Sequence, residues 1–168
     1  DRPEHIAVVF DTKEPTFRHI MYGPYKATRE KMPEEMAGQL DKLKEVVQAF
    51  NVPTIELPGY EADDIMGTLA RKAEREGIET YLVTGDKDFM QLISPLVKIY
   101  KPGKQGDAWE ILDASAVMEK FGVAPEQVID VLGLIGDKSD NVPGVGGVGI
   151  IDGDADAAGD FPEEEMIR

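Results

Sequence analysis

Four short apolar runs constrain the architecture of this chain: residues 6–10 (Ile-Ala-Val-Val-Phe), 54–57 (Thr-Ile-Glu-Leu), 80–83 (Thr-Tyr-Leu-Val) and 97–100 (Val-Lys-Ile-Tyr). Runs of this length, rich in β-branched and aromatic residues and flanked by turn formers, read as buried strands. Between them the period changes. Pro33 opens a stretch in which Met36, Leu40, Leu43, Val46, Val47 and Phe50 recur at helical spacing. A second amphipathic stretch begins near Glu61, carries its apolar face on Ala62, Ile65, Leu69 and Ala73, and ends at Gly77. Asp113 is placed to cap a helix that ends at Gly122. Pro125 opens the next one, with Val128, Ile129, Leu132 and Ile135 facing inward. Strands alternating with helices predict an α/β domain with a mainly parallel sheet flanked by helices. Two segments fall outside this alternation. Residues 12–32 are mixed and basic, with Lys13, Arg18, Lys26, Arg29 and Lys31, and residues 101–107 form a turn containing Gly and Lys.

A length of 168 residues suits one domain with a sizeable core. No apolar run approaches the roughly 18–20 residues that span a bilayer. No basic-then-apolar leader is visible, so secretion is not indicated, and a cytoplasmic location is expected. Cysteine is absent, which excludes disulfides and thiolate metal sites. The formal net charge of −15 argues, taken alone, against a polyanionic partner. The distribution of that charge changes the argument, because many carboxylates sit in short clusters at element ends.

In open α/β sheets the active crevice lies beyond the carboxyl ends of the strands. Asp11 follows the first strand, Glu61, Asp63 and Asp64 sit where the second strand turns into its helix, and Asp86 and Asp88 follow the third strand. Asp137 and Asp140 follow the helix opened by Pro125. Each cluster has an ordinary reading: acidic residues in a first helical turn favour the helix dipole, and aspartates form turns. Jointly, this many negative charges aimed at one crevice would repel one another without cations. Oxygen-only ligands favour hard ions such as Mg²⁺ or Mn²⁺. Two such ions about 3.5–4 Å apart suit in-line phosphodiester hydrolysis.

The wording of the motifs carries a resemblance. Val8-Val9-Phe10-Asp11, Thr16-Phe17-Arg18 and Tyr25-Lys26 with Arg29 resemble the second block of the 5′ nuclease domain of bacterial DNA polymerase I. Glu61-Ala62-Asp63-Asp64 and Thr84-Gly85-Asp86-Lys87-Asp88 are similar to that family's next two acidic blocks. The run from Gly136 through Asp137, Asp140 and Asn141 to Val145 resembles its last metal block, continuing into a helix–hairpin–helix. The matches are in order over residues 5–149. The resemblance implies a PIN-like fold and hydrolysis of DNA at 5′ ends and 5′ flaps with two divalent ions. It implies Asp11, Glu61 and Asp63 at the first metal, with Asp64 close by, and Asp86, Asp88, Asp137 and Asp140 at the second. It places Lys26 and Arg29 as cations that stabilise charge on the scissile phosphate, and Tyr25 as a stacking platform for a terminal base. Arg18 and Lys87 become phosphate contacts, Lys87 serving equally to balance its two neighbouring aspartates. Gly144, Gly146 and Gly149 become part of a backbone grip on duplex DNA, with a bound K⁺. A monomer with a polymerase domain in the full-length protein is the associated expectation.

Two departures accompany the match. The family opens with a strand ending in Ile/Val-Asp-Gly, whose aspartate is a metal ligand, and no such block precedes Asp1. After Gly149 the family continues with a Lys-Thr-Ala helix, where this chain reads Ile150-Ile151-Asp152-Gly153-Asp154 and then stays acidic. The expected division is a nuclease core over 1–149, lacking its usual first strand, and an atypical acidic tail over 150–168. Ile151-Asp152-Gly153 faintly echoes the absent block, and Asp154, Asp156, Gly159, Phe161 and Glu165 fit a degenerate calcium loop. A disordered acidic end is the ordinary alternative. Three functions compete: a metal-dependent 5′ nuclease, a weak DNA-binding or structural remnant of one, and an acidic divalent-metal-binding protein.

Overall fold

The structure is a computed structural model that describes residues 3–103 and 108–149. The expectations for residues 150–168, the strand echo and the calcium loop included, lie outside the described residues. The chain divides into two compact units, Asp1–Leu69 and Ala70–Arg168.

In the first unit, β1 (Val8–Val9) and β2 (Thr54–Ile55) pair in parallel, with Val8 opposite Thr54 and Val9 opposite Ile55. Val8 N–H donates to the Pro53 carbonyl and Phe10 N–H to that of Ile55. The connection carries two helices, α1 (Phe17–Met21) and α2 (Glu34–Ala49), the second entered at Pro33 as the sequence predicts. The apolar stripe of α2 forms at the expected spacing but is largely uncovered. Met36, Leu43, Val46 and Phe50 are exposed, Phe50 by 78%. Periodicity identifies which side of a helix is apolar and leaves open what covers it. The most buried described side chains in this unit are instead Thr16, Tyr25 and Glu61.

α3 (Ala62–Arg75) places Asp63 and Asp64 in its first turn and Lys72 and Arg75 in its last, each sign at the end that the dipole favours. Past its end Gly77 adopts φ +75° and its N–H returns to the Glu74 carbonyl. In the second unit, β3 (Thr80–Val83) runs parallel to β4 (Val97–Lys101), and β5 (Glu110–Leu112) adds an antiparallel edge. Neither β5 nor the 3₁₀ turn Lys87–Leu92 is signalled by the alternation of apolar runs and helical stretches. Val97, Ile99 and Leu82 from the sheet and Phe89, Met90, Val117, Phe121 and Val128 form the buried core.

α4 (Ala114–Phe121) has the predicted cap at both ends. The Asp113 carboxylate accepts from the Ser115 and Ala116 amides, and Gly122 closes the helix at φ +69°. A 3₁₀ turn, Pro125–Gln127, leads into α5 (Val128–Ile135). Val128 is fully buried, but Ile129 is 57% exposed and does not face inward as expected. The α5 apolar stripe is narrower than its composition suggests. A short antiparallel hairpin follows, β6 (Gly136–Asp137) with β7 (Val142–Pro143). The described residues thus reach a hairpin at the place where the helix–hairpin–helix was expected to start.

Candidate metal and phosphate site

The eight expected ligands fall as two sets of four, one in each unit. In the first unit, β1 delivers Asp11 to the start of α3, where its Oδ1 accepts the Ala62 N–H at 2.8 Å. The carboxylate of Glu61 is buried, with only 8% of the residue exposed. Burying a carboxylate is costly unless it is paired, and here two donors pair it. The Tyr25 hydroxyl donates to Oε2 at 2.9 Å, and the Lys26 ammonium sits 2.6 Å from Oε1. Asp64 is held by a fork: Arg18 Nη1 and Nη2 donate to its two oxygens at 2.7 Å each. The Glu61 N–H adds a third donor at 3.0 Å. The Arg18 hydrogen bonds hold the Asp64 carboxyl below the usual carboxylate range against the opposing effect of burial, and Asp64 in turn raises the Arg18 guanidinium. Asp63 is exposed in the first turn of α3.

Three residues that the resemblance assigns to DNA are in contact with carboxylates in this structure. Arg18, expected on phosphate, is bound to a carboxylate. Tyr25, expected as a stacking surface, is 7% exposed with its hydroxyl turned to Glu61 and its ring edge-on to His19 at 5.2 Å. Lys26, expected to face phosphate, lies against Glu61. The physical cause is common to all three: a carboxylate drawn wholly or partly out of water, Glu61 or Asp64, recruits the nearest donors. Lys26 also holds a left-handed backbone, φ +54°, which is uncommon for a residue with a side chain. The exposed Arg29 follows it in the same turn, its N–H donating to the Lys26 carbonyl.

In the second unit, Asp86 caps the 3₁₀ turn, its Oδ1 accepting the Asp88 N–H at 2.9 Å, while its own N–H donates to Thr84 Oγ1. The Asp137 Oδ1 accepts from Ser139 N, Ser139 Oγ and Asp140 N at 2.7, 2.6 and 3.2 Å. The motifs contain Thr84 and Ser139 but assign neither a role in the site. An Asp two residues ahead of Ser is the available signal for the second, as it marks a side chain folded onto the following turn. Asp88 is the least compensated member. Its Oδ1 is buried with no hydrogen-bond partner. Burial pushes its carboxyl up, and the charges of Asp86, Asp137 and Asp140 add to this against Lys87. Burial also raises Asp137, but the Ser139 hydroxyl and the Asp140 and Ser139 amides outweigh it and hold it low. Lys87 acts here as the partial counter-charge to its neighbours.

Among the described residues no three acidic or histidine side chains stand together as a ready metal-binding group. In the first unit the reason is visible, since Glu61 and Asp64 are already taken up by cations. In the second, an unpartnered carboxylate oxygen surrounded by like charge is the arrangement a hard cation would satisfy, and the all-oxygen donor set fits such an ion.

Residues 1–122 match the family described as 5′-3′ exonuclease, N-terminal resolvase-like domain. The chain belongs to that family. It is 46% identical over 149 residues to DNA polymerase I of Bacillus caldotenax, covering 89% of this chain and 17% of that protein. It is 47% identical over 144 residues to the thermostable DNA polymerase I of Thermus filiformis, covering 86% and 17%. The chain therefore spans about a sixth of the length of the curated relatives it matches. The bacteriophage T5 D15 flap endonuclease, solved in a complex with DNA and metal ions, shares 23% identity at a TM-score of 0.69, over 87% of this chain and 56% of that one. That likeness shows the fold, the α/β 5′ nuclease architecture that the sequence predicts. No described helix is long and apolar enough to cross a membrane.

One prediction follows from Asp88 in the metal-free protein. Its folded carboxyl sits above its ordinary value, so stability is full below the unfolded value and is lost as pH rises through the folded one. Asp88→Asn should therefore raise Tm at neutral pH in a chelator, and the gain should shrink as Asp88 protonates in acid. Thermal melts from about pH 4 to about pH 8 check this, around the ordinary carboxylate range. A constant difference across that window would show that charge is not the cause.

Proposed function

We propose that this chain is a divalent-metal-dependent 5′ nuclease domain that hydrolyses DNA phosphodiesters at 5′ ends and 5′ flaps. The observation that supports it most directly is Asp88, a buried carboxylate oxygen without a partner among Asp86, Asp137 and Asp140, in a member of the 5′-3′ exonuclease family. Asp86, Asp88, Asp137 and Asp140 would hold one ion, and Asp11, Glu61 and Asp63 the other, with Mg²⁺ or Mn²⁺ the ions suited to such oxygens. Such an ion, when bound, would supply Lewis-acid charge to a phosphate oxygen.

The protein's own groups do the rest. Ser139 and the Asp140 amide fix the Asp137 carboxylate in one orientation, and Thr84 and the Asp88 amide fix the turn that carries Asp86. Lys26 and Arg29 provide positive charge for the scissile phosphate, which matters most as charge develops on it. Gly146 and Gly149 are exposed, and their backbone amides would contact duplex phosphates, with K⁺ as an accompanying ion. The T5 flap endonuclease, which shares the fold, was solved with DNA and metal ions, and the polymerase relatives extend the proposal to a polymerase domain in the same longer protein. Action as a monomer in the cytoplasm accompanies it.

The test is cleavage of a 5′-flap duplex under Mg²⁺ or Mn²⁺ at low salt, with Asp86→Asn as control. Cleavage should need divalent metal, fall steeply with salt because phosphate contacts release counterions, and vanish in the variant while its fold persists. Equal cleavage by Asp86→Asn would assign the activity elsewhere. Flap binding without cleavage would favour a DNA-binding remnant.

A further inference from the structure

We infer that Arg18 and Asp64 are a positioning pair for Glu61, rather than a phosphate contact and a metal ligand. The inference rests on the nuclease reading above and assigns two of its residues to different work. Both Asp64 oxygens are engaged by one guanidinium at 2.7 Å, in the planar fork geometry that only Arg offers. Oδ2 also accepts the Glu61 N–H. Three donors thus converge on a carboxylate whose side chain is 21% exposed. A metal taking this carboxylate would have to displace the fork, and a phosphate taking Arg18 would leave Asp64 with its backbone donor alone. The bond spans 46 residues, joining the short helix α1 to the first turn of α3. Its effect reaches Glu61 by two routes. Asp64 fixes the Glu61 backbone, and Arg18 Nη1 stands 3.7 Å from Glu61 Oε2, the oxygen that also receives the Tyr25 hydroxyl. The pair therefore orients the buried carboxylate without touching substrate.

The two assignments give opposite patterns in a pair of measurements that do not depend on turnover. Mn²⁺ binding is followed by calorimetry without DNA, and flap-duplex binding is followed across a KCl series without divalent ion. The variants are Arg18→Met, Asp64→Asn and the double. For a positioning pair, each single variant should weaken Mn²⁺ binding alike, by about tenfold, the effect typical of groups that orient ligands. The double should be no worse than either single, and the salt slope of DNA binding should stay at the parent value. If Asp64→Asn alone weakens Mn²⁺ binding, while Arg18→Met alone lowers the salt slope by about 0.9, one phosphate contact's worth, the inference is overturned. Additive losses in the double overturn it as well. Should Asp64→Asn fail to fold, Arg18→Lys keeps the charge but cannot form the fork. It should lose Mn²⁺ affinity as Arg18→Met does, and parental affinity would sink the pair. A parent that binds neither Mn²⁺ nor flap DNA defeats the nuclease reading itself, whereas a binding parent with separable variants defeats only this inference.

Discussion

Lys26→Ala is expected to lower kcat on a 5′-flap duplex by about 10²–10³-fold, the usual cost of removing one group that stabilises developing charge. The Kd for the same duplex should change far less, since one cation among several phosphate contacts contributes little to ground-state binding. The structure adds a second consequence. Without divalent metal, the Lys26 ammonium is the charge that balances the buried Glu61 carboxylate at 2.6 Å. Its removal leaves that carboxylate with the Tyr25 hydroxyl and the more distant Arg18. The metal-free variant should therefore melt below the parent, by an amount corresponding to about 1–3 kcal/mol for a buried group that loses its partner. Saturating Mg²⁺ should narrow the gap, as an ion at Glu61 takes over the balancing. Single-turnover quench experiments and melts with and without Mg²⁺ measure both effects. A variant with parental kcat and a tenfold weaker Kd would make Lys26 a binding residue only.

Gly144→Ala should destabilise the second unit by about 1–3 kcal/mol, the range for forcing extra volume into a packed place, or on the order of 5 °C in Tm. A Cβ at Gly144 would lie 2.2 Å from the Ile135 carbonyl oxygen and 2.8 Å from the Gly136 nitrogen. One at Gly136, itself at φ +74°, would lie 2.3 Å from the Gly144 nitrogen. The chain leaving α5 and the chain returning from the hairpin cross here backbone on backbone, tied by the Val145 N–H to the Leu134 carbonyl at 2.7 Å. Alanine must push them apart, and the hairpin they bracket carries Asp137 and Asp140. Divalent-metal affinity should therefore fall together with stability. Gly146→Ala is the control, since nothing lies within 4 Å of its Cβ position. Equal Tm values for the two variants would show that the crossing is not tight. The result also bears on Gly144 as a DNA contact, because a backbone crossing alone requires glycine there.

The features legible in the sequence are those set by neighbours along the chain. The residues of β3 and β4 are apolar runs between turn formers, and both strands form where predicted. Asp113 and Gly122 cap α4 by local hydrogen bonding and local dihedral freedom, so the residue types alone place both ends. The order and spacing of the acidic blocks identify the family for the same reason. What the tertiary structure decided is partnership. Nothing in the sequence pairs Arg18 with Asp64 across 46 positions, or turns Tyr25 and Lys26 from solvent onto Glu61. Those choices follow from burial. A carboxylate removed from water must find donors, and only the folded chain determines which are near. The α2 stripe shows the converse. Its helical period is local and forms, but the burial of Met36, Leu43, Val46 and Phe50 depends on a surface to cover them, which periodicity does not specify. Asp88 shows both sides in one residue: its place after β3 is fixed by sequence, whereas only the folded chain buries its oxygen without a partner and brings Asp86, Asp137 and Asp140 into its field.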